Sequence, residues 1–558
     1  MNHSASVKHL VAAGLVVGLL TPCFAQQEKK PNPFNTEIVG QAQKLYGLEF
    51  NEAKRDSMLE NLAEQFENYG KIRAIALPNS VPPAILFNPI PVGFQFEKVR
   101  KPFMASSPAK IKVPNNLEDL AFASVGQLAE LIRTRKITAL QLTTMYLNRL
   151  KKFGPKLECV ITLTEDLALK QAKRADEEIA KGKYRGLLHG IPYGAKDLLS
   201  VKGYKTTWGS VPYKDQVINE DAAVIKRLEQ AGAVLVAKLT MGELAMADVW
   251  YGGRTRNPWN YKQGSSGSSA GAASATAAGL VGFSIGTETL GSIVSPSTRC
   301  GATGLRPTYG RVSRTGAMAL SWSMDKIGPI CRTVEDCALV FSAIIGPDGV
   351  DQTLVDAPFN YDPKVNWKTL RIGYLKMDFD SAKGNKAAND SVLVVLRRLG
   401  AKLTPIELPN IPVENLRIIL NAEAATAFDE LTRSGKDSSM VRQMKSAWPN
   451  SFRSSRFIPA VEYIEANRIR YLVIQEMQKL MKDIDVYVAP SFGGSNLLLT
   501  NLTGHPCVVL PDGFTKEGTP TSITFTGKLF GEAKLLAAAK AYQDATDFHL
   551  KHPLLEEN

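Results

Sequence analysis

Between Gly264 and Gly304 the chain carries nine glycines and nine serines in 41 residues, yet only two charges, Glu288 and Arg299. A flexible linker of that composition would avoid Val, Ile, Leu and Phe, and here they run through the stretch. A backbone this rich in glycine and still apolar predicts tight turns and close chain approach inside a packed protein. Consecutive N–H groups in such turns can converge on one point, which suits an anion or a developing oxyanion. The serines around them are candidate nucleophiles.

The flanking sequence predicts an α/β layer structure. Ala233–Leu239 is a short continuous apolar run typical of a buried strand, preceded by a helical pattern over Ala222–Ala231. The alternation returns as Leu370–Leu375, a helix around Ser391–Leu399, a strand over Lys402–Leu408 and a last helix at Glu532–Thr546. Strands alternating with helices imply a central mixed sheet covered by helices on both faces. Ser124 with Gln127 and Thr138 with Gln141 have the capping-box spacing, each ahead of an apolar-periodic run. A charged helix is expected over Leu167–Lys181. Residues 26–115 read differently: rich in charge and proline, with a helix near Glu52–Tyr69 and then ALPNSVPPAILFNPIPVGFQF, whose prolines exclude long regular structure. That stretch is expected to be an extension packed on the main body, residues 116–558.

The N-terminus reads as an export signal. Lys8 and His9 precede eleven mostly apolar residues, Leu10–Leu20, followed by Thr-Pro-Cys-Phe-Ala. The run is too short to span a bilayer, and cleavage is expected after Ala25, giving a periplasmic or secreted protein with no membrane span. Lipid attachment at Cys23 is disfavoured by Pro22. The remaining Cys159, Cys300, Cys331, Cys337 and Cys507 are odd in number and lack CxxC spacing, which predicts buried thiols and no disulfide framework. The net charge of +13 is scattered and no nucleic-acid motif accompanies it, so it reads as solubilising charge.

Histidine supply removes several chemistries. Outside the signal only His189, His505, His549 and His552 remain, and no HExxH, paired-His or Cys-rich metal pattern occurs. No metal or cofactor is expected. Gly267-Ser268-Ser269-Ala270-Gly271 satisfies GxSxG, but that motif requires a strand leading into it and a downstream acid and histidine. RNPWNYKQ before it is a poor strand, and His505 is the one plausible base. Serine activated by a neutral lysine fits better, provided burial removes the ammonium charge. Lys196, in the Gly- and Pro-punctuated GIPYGAKD, looks interior. Its neighbour Asp197 faces the other side of an extended strand and need not pair with it.

GIPYGAKD, GSSGSSAG, GTETLGSIVSPSTRCGATGLRPTYGRVSR, DKIGPICRTVED and TNLTGHPCVVLPDGF, in that order, resemble the amidase signature family of Ser-cisSer-Lys hydrolases. Similarity runs from about Ser124 to the last helix, roughly four-fifths of the chain. The resemblance implies the amidase signature fold, a small-molecule amide substrate, hydrolysis of a C–N bond, and a monomer or homodimer. It makes Ser292 the nucleophile, Ser268 the bridging serine on a cis peptide bond, and Lys196 the base. The backbone N–H groups of Thr289, Leu290, Gly291 and Ser292 become the oxyanion hole.

Three positions depart from the family pattern: Glu288 stands for the usual Asp, Leu290 for the first glycine of Gly-Gly-Ser, and Val294 for an arginine. They put the pocket shape in question and leave room for a catalytically silent binding protein on the same fold. The chain is also similar to the glutamine-hydrolysing A subunit of glutamyl-tRNA amidotransferase. Against that role stand the export signal and Gly242 in TMGELAMADVW, where that protein has Asp.

Overall fold

A computed structural model describes residues 32–108, 111–382 and 385–555. The export segment and its cleavage site lie outside those residues. The chain divides into two compact units between Leu77 and Pro78, a boundary that falls inside the 26–115 stretch. In the first unit, helices α1 (Thr36–Leu45) and α2 (Glu52–Arg73) each start on an asparagine whose side chain accepts a backbone N–H, Asn35 from Ile38 and Asn51 from Lys54. Phe34 meets Phe66 edge-on at 5.5 Å.

The second unit opens with residues 78–108 and 111–116, which form neither helix nor strand, as their prolines dictate. Helices α3 (Val125–Arg133) and α4 (Ala139–Leu157) follow, and both expected capping boxes are present, on Ser124 and Thr138. Next come strand β1 (Val160–Leu163), helix α5 (Glu165–Ala180), β2 (Pro192–Lys196), α6 (Ala223–Gln230) and β3 (Val234–Leu239). The Gly/Ser-rich stretch supplies α7 (Ala270–Ala277), β4 (Phe283–Glu288), α8 (Val294–Cys300) and β5 (Thr303–Arg306). Strand β6 (Lys326–Cys331) and helix α9 (Val334–Ile344) complete the central part. The later strands are β7 (Ile372–Leu375), β8 (Leu403–Ile406), β9 (Val486–Pro490), β10 (Cys507–Phe514) and β11 (Pro520–Gly527).

Eleven strands form one mixed sheet in the order β1-β3-β2-β4-β6-β5-β10-β11-β9-β7-β8. Strand β2 lies between β3 and β4, parallel to both. Every residue of β2, β3 and β4 is buried, which explains continuous apolar runs in place of alternation. Along β3 the side chains divide between two cores. Leu235 joins Leu128 of α3 and Val340 of α9, whereas Val234 and Val236 join Leu150 of α4, Ala172 of α5 and Ala275 of α7. Neighbouring strand residues point to opposite faces, so helices cover both sides of the sheet. Cys159, Cys300, Cys331, Cys337 and Cys507 are all free and buried. Among the described residues no helix is long and apolar enough to cross a membrane.

One expectation is corrected. RNPWNYKQ takes part in a short antiparallel pair, Arg256–Asn257 with Asn260–Gly264, outside the main sheet. A strand therefore does lead toward Ser268, but from a small hairpin.

Candidate active site

Lys196 ends β2 and is completely buried. The parallel pairing of β2 with β4, Ala195 opposite Ile285, carries its side chain toward Thr287. Its Nζ lies 2.8 Å from Ser268 Oγ, 2.8 Å from Thr287 Oγ1 and 3.2 Å from Ser269 Oγ. Among the described residues no carboxylate touches the amine. Asp197 turns away as the strand geometry requires, pairing with buried Lys238 at 2.8 Å and accepting from Thr207. Burial is the main influence on Lys196 and lowers its pKa from 10.5 to about 7, against the pull of Asp325 and Glu288.

Ser268 follows a cis peptide bond, Gly267–Ser268. The loop Gly242–Ala247 clasps this turn: Gly242 N–H donates to Ser268 O at 3.3 Å, and a Cβ on Gly267 would lie 1.7 Å from Ala247 O. Leu244, Ala245 and Ala247 all have positive φ, a cost that non-glycine residues sustain only where surroundings enforce it. Gly242 itself admits no side chain, since its Cβ would meet Ala247 O at 2.0 Å. The aspartate expected at this place in the amidotransferase would not fit this turn.

Ser292 sits between Gly291, at φ +81°, and helix α8. Its carbonyl accepts the Ser269 N–H at 3.2 Å, which ties its backbone to the residue after Ser268. The residue is 7% exposed, against 1% for Ser268, and its hydroxyl has no hydrogen-bond partner among the described residues. The N–H groups of Thr289, Leu290, Gly291 and Ser292 likewise donate to no loop or turn acceptor among the described residues. The site thus joins a buried amine, the Ser268 hydroxyl in contact with it and a separate, slightly exposed Ser292 hydroxyl, beside a run of N–H donors that meet no loop or turn acceptor among the described residues.

The three departures from the family pattern find partners. Glu288 accepts from Ile293 N at 2.9 Å and Val294 N at 3.0 Å, and pairs with Arg306 and Asn501 at 2.8 Å each. Burial alone would raise its pKa, but Arg306 and these donors outweigh it and hold the carboxyl at about 2. The acid is therefore not orphaned by losing an arginine at 294, because Arg306 of β5 supplies the charge. Val294 packs in a small apolar cluster with Cys507, Val509 and Leu497. Leu290 packs its side chain against the larger core.

Sequence reasoning missed Ser269 and Thr287. Ser269 Oγ donates to Thr287 O at 3.0 Å and accepts Thr287 N–H at 3.1 Å, locking the residue after Ser268 to β4. The pairing of Ser268 with a second serine was the one available signal. His505 is a core residue: its ring bonds Thr503 at 2.8 Å, and burial lowers its pKa to about 3. The Ser-His-Asp reading has no support from it. Among the described residues no cluster of three or more His, Cys, Asp or Glu could hold a metal.

The Amidase family profile matches residues 141–500, well over half the chain. The chain belongs to the amidase family. It is therefore a hydrolase acting on the C–N bonds of amides. This amidase is 34% identical over 480 residues to the A subunit of glutamyl-tRNA(Gln) amidotransferase from Marinomonas sp. (strain MWYL1), covering 77% of this chain and 98% of that one. Among solved structures it is similar to the peptide amidase of Stenotrophomonas maltophilia, with 29% identity and a TM-score of 0.70 over 78% of this chain and 99% of that one. The A subunit of the Thermotoga maritima glutamyl-tRNA(Gln) amidotransferase, at 24% identity and TM-score 0.68 over 81% of this chain and all of that one, shares the fold.

Proposed function

We propose that this amidase hydrolyses a small-molecule amide through an acyl intermediate on Ser292, with Lys196 as base and Ser268 as proton bridge. The observation that carries this reading is the 2.8 Å contact between Ser268 and a fully buried amine whose pKa burial lowers to about 7. Neutral Lys196 takes the Ser268 proton as Ser268 takes that of Ser292, and Ser292 Oγ attacks the carbonyl carbon. The N–H groups of Thr289, Leu290, Gly291 and Ser292 receive the negative charge that develops on the carbonyl oxygen. The proton returns through Ser268 to the amide nitrogen, the C–N bond breaks and amine or ammonia leaves. Water, activated by the same relay, then cleaves the acyl-serine ester to the acid. No step calls for a metal or cofactor.

The test is hydrolysis of an amide panel by purified protein, beside Ser292→Ala and Ser268→Ala. Ammonia or amine release that disappears in both variants supports the assignment; full activity in Ser292→Ala rejects it. A second reading, favoured by the 34% identity, is a component of an amidotransferase that releases ammonia from glutamine for aminoacyl-tRNA. Glutamine as the sole substrate, cleaved only with partner proteins present, would establish it. The same panel bears on the catalytically silent alternative, which requires no turnover at all. Export is part of the proposal, supported by the Lys8–Ala25 pattern. Fractionation of cells followed by N-terminal sequencing should find the protein outside the cytoplasm and beginning at Gln26.

A further inference from the structure

A cavity of about 1030 Å³ runs from Thr287 and Thr289, at the edge of the catalytic loop, to the proline-rich segment Asn79–Asn88. Leu198, Met318, Leu320 and Ile327 line it, while the exposed Pro82, Pro83, Ile85 and Leu86 line its mouth. Ser268 and Ser292 do not line it; the cavity meets the reacting centre at Thr287, whose hydroxyl touches Lys196, and at Thr289. The segment lies ahead of the residues that match the family, 141–500.

The charged side chains in the inner wall are already engaged. Arg314 is held by Asp351 at 3.1 Å and by Thr353 at 2.9 Å. Glu423 accepts from Ser321, Ser323 and Tyr463 at 2.6–3.0 Å. Asp325 accepts from Thr289 at 2.6 Å and from the N–H groups of Leu320 and Ser321. Buried Lys326 bonds Met324 O, and burial lowers its pKa well below the ordinary amine value. Glu220 stays exposed at the rim. An anionic substrate group entering here would lose its hydration and find Arg314 already paired with Asp351 and Lys326 held by Met324 O, a loss that apolar groups do not incur.

The segment is fastened at both ends. The Asn79 amide donates to Ala319 O at 2.9 Å and accepts Ala319 N–H at 2.7 Å. The Phe87 ring packs edge-on to Tyr309 at 5.0 Å, with the Arg470 guanidinium 3.5 Å from its centroid. Between these anchors prolines restrict the backbone, and Ile85 lines the cavity while remaining 86% exposed. An apolar side chain left in water at a cavity mouth gains by being covered.

We propose that this cavity receives a bulky, uncharged apolar substituent of the amide, and that the segment Asn79–Asn88 selects it, with Ile85 as a specificity-determining contact. The inference rests on the amidase reading of the adjoining loop. Three amides discriminate: 4-phenylbutyramide, acetamide and the carboxylate-bearing succinamate. Wild type should give the highest kcat/KM on 4-phenylbutyramide. Ile85→Asp, a surface change, should lower that value about tenfold through KM and leave acetamide within twofold. Higher kcat/KM on acetamide or succinamate, or an equal effect of Ile85→Asp on all three, overturns the proposal. Calorimetry of 4-phenylbutyramide binding to Ser292→Ala, with and without Ile85→Asp, separates the two readings. Binding that Ile85→Asp weakens about tenfold supports the pocket even if turnover is absent, and binding unaffected by Ile85→Asp overturns it.

Discussion

Lowering the pH should switch this amidase off along the titration of Lys196. The amine is displaced by burial from 10.5 to about 7. Its neutral, proton-accepting fraction is then about one half at pH 7, about one in ten at pH 6 and about one in a hundred at pH 5. An ordinary lysine would be neutral in only about one molecule in 3000 at pH 7, so the dry site supplies about a thousandfold in competent enzyme. The assay is kcat/KM on a neutral amide from pH 5 to 10. It should fall about tenfold per pH unit below 6 and level off above 8. A rise continuing to pH 10 would show that Lys196 keeps its ordinary proton affinity; the absence of an acidic limb would show that it is not the base. The same displacement acts on folding. Between pH 7 and 10.5 the native amine binds fewer protons than the unfolded one, so stability increases with pH across that window. The cost is absent above 10.5, complete below 7, and amounts to about 5 kcal/mol at about 1.36 kcal/mol per pH unit. Lys196→Met relieves it, while depriving Ser268, Ser269 and Thr287 of a partner at about 1 kcal/mol each. The variant should therefore be inactive yet melt higher than wild type at pH 7, and lose that advantage by pH 10.5. Melting curves at the two pH values check this, and a lower melting temperature at pH 7 would refute it.

Asp325 raises the proton affinity of Lys196, so Asp325→Asn should move the acidic limb to lower pH; a limb that stays in place would remove Asp325 from the electrostatics of the site. Glu288→Gln leaves Arg306 buried without its charge partner and should cost about 3–5 kcal/mol in denaturant unfolding, where an unchanged midpoint would show that the pair is dispensable. In the proposed relay the lysine and serines perform each proton transfer, so prolonged incubation with EDTA should leave rates unchanged, and inhibition reversed by added zinc would count against the mechanism.

Much of this was legible in the chain because it is locally encoded. Buried strands show as unbroken apolar runs, the capping boxes on Ser124 and Thr138 mark two helix starts, and GIPYGAKD and GSSGSSAG carry the family resemblance that singles out Lys196 and Ser268. What stayed hidden depends on register and distance. Thr287 reaches Lys196 only because β2 and β4 pair in parallel, 91 residues apart. Arg306 can replace an arginine at 294 only because β5 returns beneath Glu288. The hairpin Arg256–Gly264 has too few β-formers to announce itself. The cavity walls join Pro82, Leu320 and Tyr463, separations over which one sequence carries no pattern.

The most direct test of the Lys196–Ser268–Ser292 relay is the mass of the peptide containing Ser292 after treatment with a fluorophosphonate. The relay predicts one stoichiometric covalent adduct at Ser292, formed at a rate that follows the titration of Lys196 and sharply slowed in Lys196→Ala. An unmodified Ser292, or an adduct that forms equally fast without Lys196, would contradict it.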